Sequence, residues 1–136
     1  MTNGYGYGRE SEPYRVPVAD ADRIRAEAAL HLAALAFGVP ADEMLGLRGQ
    51  VRLRASRARW SAMYLAHIAF GWQLERVAHA FGLNRATAAT GCRWVEDERE
   101  KRDFDKVIEG LDACLRSVME LPAPSMSLPP RAGDRK

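Results

Sequence analysis

Between Trp72 and Glu96 the chain reads WQLERVAHAFGLNRATAATGCRWVE. Leu74, Val77, Ala78 and Phe81 recur at helical spacing, Gly82 interrupts them, and Asn84 restarts the pattern. Two short helices joined at a sharp angle are predicted. The second begins at Asn84, whose side chain caps a helix by accepting from a backbone N–H two or three residues on. Arg85, Thr87 and Ala88 then project from its first turn. A helix set this way behind a glycine turn is the layout of a helix-turn-helix, in which the second helix enters the major groove of DNA. Many helical hairpins also contain a glycine turn, so the rest of the chain must support that reading.

The length of 136 residues fits one domain with a real core and leaves no room for an additional enzyme domain. Alanine and arginine are abundant and β-branched residues sparse, which favours helices over strands. The expected fold class is all-α, a compact bundle of about five to six helices. The net charge of +2 says little, but its distribution says more. Arg48 to Arg59 holds five arginines and no acid, whereas Glu96 to Asp112 holds eight acids against four bases. The molecule is therefore dipolar, basic on one side and acidic on another. Cys92 and Cys114 define neither a zinc site nor a disulfide framework, no apolar run approaches a membrane span, and the polar N-terminus has no signal-peptide core. A cytoplasmic, nucleoid-associated protein without metal or cofactor is expected.

Outside the hairpin, residues 1–19 are rich in glycine, proline and polar residues and read as a disordered tail. Asp20 or Asp22 is expected to cap a first helix in which Ile24, Ala28, Leu32 and Leu35 form the apolar stripe. Gly38 ends it, and Pro40 opens a short helix through ADEMLG. The segment LRGQVRLRASRAR, 47–59, carries too many arginines to be buried and must face water or an anion. WSAMYLAHIAF follows as the central helix, covered by Trp60, Met63, Tyr64, Leu65 and Ile68, and Gly71 closes it. Val107, Ile108, Leu111, Leu115 and Val118 mark a last helix that packs back on the bundle and stops before Pro122. The domain should span 20–121, with residues 122–136 a proline-rich, disordered tail.

From about Ile24 to Asp97 these segments resemble the C-terminal DNA-binding domain of the bacterial replication initiator DnaA. FGVPADEMLG resembles that family's short second helix, RLRASRARWSAMYLA its basic loop and central helix, and LERVAHAFG the first helix of its helix-turn-helix. The family's signature D-H-T-T-V is altered: Asn84, Arg85, Ala86, Thr87 and Ala88 occupy those places with one residue fewer in the turn, and only Thr87 is retained. Cys92, Arg93 and Glu96 then match the family's C-R-x-x-E. No G-x-x-x-x-G-K-[ST] motif for ATP occurs in the sequence. The resemblance therefore implies a stand-alone regulator, similar to activators of gene transfer agent clusters and to cell-cycle regulators of alphaproteobacteria.

The resemblance carries Arg57 over as the arginine that enters the minor groove, where A·T-rich narrowing attracts a cation. Arg85 and Thr87 would reach base edges and thymine methyls, with Asn84 serving as reader or cap. Arg48, Arg52, Arg54, Arg59, Thr90 and Arg93 would meet phosphates. A cation at position 85 opposes the helix dipole unless an anion approaches, whereas its plain alternative is an exposed first-turn residue. His31, His67 and His79 stand apart on separate helices, and Cys92 lacks an oxyanion loop, so no enzyme is expected. The function expected is sequence-specific binding of double-stranded DNA by a transcription regulator, an activator if it acts like its stand-alone relatives. The competing reading is an interaction module that binds a replication, protease or polymerase partner, or a combination with a protein partner on the acidic C-terminal helix.

Overall fold

Alanine, more than any large side chain, sets how the helices of this chain approach one another. The computed structural model describes residues 16–44 and 53–125. Among them are six helices and no strand: α1 (Asp20–Phe37), α2 (Ala41–Met44), α3 (Leu53–Ala69), α4 (Leu74–Phe81), α5 (Arg85–Glu98) and α6 (Arg102–Glu120). The all-α bundle expected from composition is observed. Arg48, Arg52 and most of both tails lie outside the described residues.

Helix α3 is the axis of the bundle and contacts each of the other five. It buries Ala55, Ala58, Ala62 and Ala66 together with Met63, Tyr64 and Leu65. Met63 and Leu65 are wholly inaccessible, and each contributes about 1.5–3 kcal/mol by leaving water. Ser61, also buried, satisfies its hydroxyl by donating to the Arg57 carbonyl one turn back (2.9 Å). Trp60 and Ile68, expected in the core, are half-buried at its margin.

The apolar stripe expected for α1 is not the face it buries. Ile24 and Leu35 are 63% and 80% exposed, and Ala26, Ala29, Leu30, Ala33 and Ala34 pack inward instead. Small residues on both α1 and α3 let the two axes come close, and that close contact replaces the larger side chains. The predicted acidic cap is also corrected. Ala19 stands at the N-cap with no side-chain bond, and both acids lie inside the first turn. Asp22 reaches across to α4, where its carboxylate takes two hydrogen bonds from Arg76 (both 2.9 Å). Gly38 closes α1 in the left-handed region (φ 66°), where a side chain would be strained.

The arginine-rich segment is already helical from Leu53, so Arg54, Arg57 and Arg59 stand on α3 rather than on a loop. Helix α5 stops at Glu98, and α6 starts at Arg102. Its buried face is Ile108 and Leu115 with half-buried Phe104 and Leu111, whereas Val107 and Val118 are 41% and 58% exposed. Arg116 of α6, paired with Asp112, donates to the Ile68 carbonyl at the end of α3 (2.6 Å). A cation there also suits the negative end of the helix dipole.

Candidate nucleic-acid interface

The turn between α4 and α5 has the chemistry its sequence announces. Gly82 adopts φ 71°, its N–H donates to the His79 carbonyl, and the Leu83 N–H donates to the Ala78 carbonyl (2.8 Å), closing α4. Asn84 then caps α5: its Oδ1 accepts from the Thr87 N–H at 2.8 Å. Asn84 is therefore at least a cap. Val77 and Ala78 of α4, and Ala88, Gly91, Cys92 and Val95 of α5, are the buried residues of the two helices, and Gly91 faces Trp60 and Met63 of α3.

What remains outward on α5 follows from helical geometry. Ala86, Thr90, Arg93 and Asp97 recur at spacings of four, three and four, and all are exposed. Arg93 makes no ion pair among the described residues. Thr87 is half-buried on the flank that also carries Trp94. Arg85, on the opposite flank, is 61% exposed and pairs with Glu75 of α4 at 3.2 Å. The anion that its position calls for is thus supplied from within the protein. Both partners are exposed, so the pair is worth no more than about 1 kcal/mol and yields readily to a competing phosphate. Exposed Glu96 and Asp97 make the far end of the helix unattractive to DNA and confine any contact to its first turns.

The arginines of α3 do not form one patch, because residues two apart on a helix point to nearly opposite sides. Arg57 is exposed and lies over the Trp94 ring of α5, with its guanidinium carbon 5.6 Å from the ring centroid. A guanidinium held on a ring keeps its N–H donors available to another partner. Arg59 turns the other way, toward a cleft lined by Leu30, Met44, Phe81, Gly82 and Leu83. It donates to the Met44 carbonyl (3.3 Å), and its Nε is buried without a hydrogen-bond partner among the described residues. Arg54 is exposed at the start of α3 beside Pro40 and Glu43. The structure therefore gathers Arg57, Thr87, Thr90 and Arg93 around one side of α5, places Arg85 at its edge, and separates Arg59 from them.

The contacts that hold this surface, more than the residues themselves, escape a sequence reading. Trp94 sits against Trp60 and Phe104 (5.4 and 5.6 Å between centroids) and gives Arg57 its platform. The Tyr64 hydroxyl donates to Glu96 (2.6 Å) and accepts from Arg99 (3.0 Å), which also donates to Asp105 (2.5 Å). Helices α3, α5 and α6 are tied together at that point. Burial, and then the bond to Glu96, raise the Tyr64 pKa above the usual tyrosine value. Burial and the nearby Glu96 charge push the Cys92 thiol up to about 11, which leaves it a packing group at neutral pH. The i, i+4, i+7 spacing of Ala86, Thr90 and Arg93 was visible in the sequence; the Arg85–Glu75 and Arg57–Trp94 contacts were not, because they depend on interhelical angles.

Among the described residues no three His, Cys, Asp or Glu side chains gather as a metal site, and no helix is long and apolar enough to cross a membrane. Neither a family model nor a curated protein matches the sequence. Solved structures that share the fold include the following two. One, described as the crystal structure of a DNA replication initiation factor, aligns with a TM-score of 0.61 at 24% identity over 71% of this chain and 30% of that one. The other, described as the replication initiator DnaA bound to AMPPCP and single-stranded DNA, aligns with a TM-score of 0.59 at 24% identity over 71% and 29%. This chain spans less than a third of either protein, and at that identity the likeness is one of fold. The fold of this chain is that of the helix-turn-helix domain its sequence resembles, a DnaA-domain-IV-like fold.

Proposed function

We propose that this chain binds double-stranded DNA in a sequence-specific way and regulates transcription, with α5 in the major groove and Arg57 in the adjoining minor groove. The observation that carries the reading is the juxtaposition on α5. A capped helix behind a glycine turn turns Ala86, Thr90 and Arg93 outward, and Arg57, with no ion pair among the described residues, rests on its flank. That is the arrangement a helix-turn-helix needs to read base edges with one element and the backbone or a narrow groove with another. The fold neighbours, one described as a DNA replication initiation factor and the other as bound to single-stranded DNA, agree with a nucleic-acid role. Within this reading Arg93 and Thr90 face the duplex most directly. Arg57, Arg85 and Thr87 border the same contact, and Arg54 stands at its periphery. Regulation fits a module of this size, which acts by occupying a site, alone or with a protein partner.

A second reading, a protein-interaction module, draws on exposed Glu96 and Asp97 beside Arg93 and on the altered signature at 84–88. One experiment separates the two. Duplexes selected from a random pool by the full chain are titrated against it by fluorescence anisotropy at several salt concentrations. A common sequence should emerge, and affinity for it should exceed that for random duplex by at least roughly 10³-fold. Arg57→Ala and Arg93→Ala should each weaken binding by about 1–3 kcal/mol if they read bases, or flatten the logarithmic salt slope by about 1 if they meet phosphates. Absence of binding to any duplex even at about 50 mM salt would overturn the proposal and favour the interaction module.

A further inference from the structure

Trp94 is the one aromatic residue of α5, and it occupies the first of the two open places in the C-R-x-x-E pattern. Its ring is held by neighbours on other helices. Trp60 of α3 and Phe104 of α6 contact it at 5.4 and 5.6 Å between centroids, and Phe104 in turn meets Phe37 of α1 at 6.1 Å. The Arg57 guanidinium lies over this braced ring. Two other arginines lie over rings among the described residues, Arg76 on Trp72 (4.8 Å) and Arg99 on Tyr64 (5.8 Å). Each of them is also bonded to a carboxylate, Asp22 and Asp105 respectively. Arg57 has the ring and no ion pair, and Glu96, the acid nearest to Trp94 along α5, accepts instead from the Tyr64 hydroxyl (2.6 Å).

We propose that Trp94 is a positioning residue for DNA, whose ring face holds the Arg57 head in place for the duplex while leaving it fully charged. Trp94 has this role only if the chain binds DNA as proposed above. A carboxylate would fix Arg57 equally well, but it would occupy N–H donors and offset the charge that a phosphate or a base edge must meet. A ring attracts the cation through its face, and the donors, which lie in the guanidinium plane, stay open at the edge. An unsupported arginine gives up its rotamer freedom when it binds, whereas one already held on a ring has less to lose. The exposed Thr90 and Arg93 stand on the same helix as Trp94, so the support also ties the position of Arg57 to that of the outward row of α5.

A double-mutant cycle tests the role, read by fluorescence anisotropy on the duplex selected from a random pool. Trp94→Leu should weaken binding about threefold to tenfold with an unchanged salt slope, because every charge is kept. In the Arg57→Ala background the same change should cost less than about twofold, since the side chain it supports is gone. Trp94→Phe, which keeps a ring face, should bring affinity back to within about twofold of the parent. In the NMR spectrum of the free protein, the Arg57 Nε proton should resonate upfield of those of Arg54 and Arg93, and Trp94→Leu should abolish that shift. A Trp94→Leu chain that binds as tightly as the parent overturns the inference and leaves DNA binding standing. So does an equal loss in the Arg57→Ala background, which would mark general damage to α5. An unshifted Arg57 proton in the parent overturns it as well, even if Trp94→Leu fails to fold. Failure of the parent to bind any duplex overturns both the role of Trp94 and the DNA-binding reading.

Discussion

Helices α1 and α5 both flank α3, yet they begin in opposite electrostatic company. α1 opens behind Ala19, which offers no side-chain cap, but its first turn holds Asp20 and Asp22 against the positive end of the dipole. Each of those acids is in turn paired, with Arg23 and Arg76 respectively. α5 opens behind Asn84, a neutral cap, and its first turn contains no acid and one arginine. The first start is closed to outside anions by the protein's own charges. The second is held by a hydrogen bond that adds no charge, and the acid beside it, Glu75, comes from α4 and pairs with Arg85 at an exposed site, where an arriving anion can displace it. Structural and functional helix ends thus differ less in how well they are capped than in which charge does the work.

The comparison breaks most easily where α5 is seated. A Cβ on Gly91 would lie 2.6 and 2.9 Å from ring atoms of Trp60 and 2.8 Å from the end of Met63. Alanine for glycine within a helix ordinarily gains about 0.5–1 kcal/mol. Here Gly91→Ala is expected to cost about 1–3 kcal/mol net, read as a lowered Tm, because α5 must lift off α3. An unchanged or raised Tm would mean that the helix does not rest there. Next in size are the caps themselves. Asn84→Ala should remove about 1 kcal/mol in urea denaturation, and Ala19→Asn should add up to about as much at the uncapped start. If the two changes shift the midpoint in the same direction, the contrast between the helix ends is mistaken.

Acid unfolding sharpens the α1 side. The hydrogen bonds and charge of Arg76 hold the Asp22 carboxyl below its ordinary value of 3.8. Its stabilising effect is therefore complete above pH 4, and it is lost as the pH falls through that lowered value. Asp22→Asn should flatten this acid limb of the stability curve by less than about 1 kcal/mol, because Arg76 is half exposed. A curve of unaltered slope below pH 4 would remove Asp22 from the account. The smallest change in stability is expected from Glu75→Gln, within about 0.5 kcal/mol. Its effect should appear in DNA titrations at low salt, where releasing Arg85 raises affinity several-fold. Arg85→Ala in the same background should cancel that gain, and failure to cancel it would place Arg85 outside the contact.

Some of this architecture was legible in the residues. Gly38 and Gly82 mark helix ends because their backbones take a conformation other residues resist, and Asn84 caps because its side chain is the right length. These are local rules, and local rules can be read one turn at a time. The buried face of α1 was misread for the opposite reason. Ile24 and Leu35 dominate a hydrophobic period by size, while the close fit of Ala26, Ala29 and Ala33 is a property of two helices together. The arginines of 54–59 were legible as a charged group but not as members of one helix that directs Arg57 to Trp94 and Arg59 to the Met44 carbonyl. The Tyr64, Glu96, Arg99 and Asp105 network joins three helices at separations no periodic pattern reports.

The contact between Gly91 and Trp60 also constrains how this chain can drift over generations. Enlarging position 91 first passes through a clash, and shrinking position 60 first passes through a void, so either order of change crosses a less stable intermediate. The two positions are therefore expected to change together, and a lineage that changes one needs a stability reserve accumulated elsewhere.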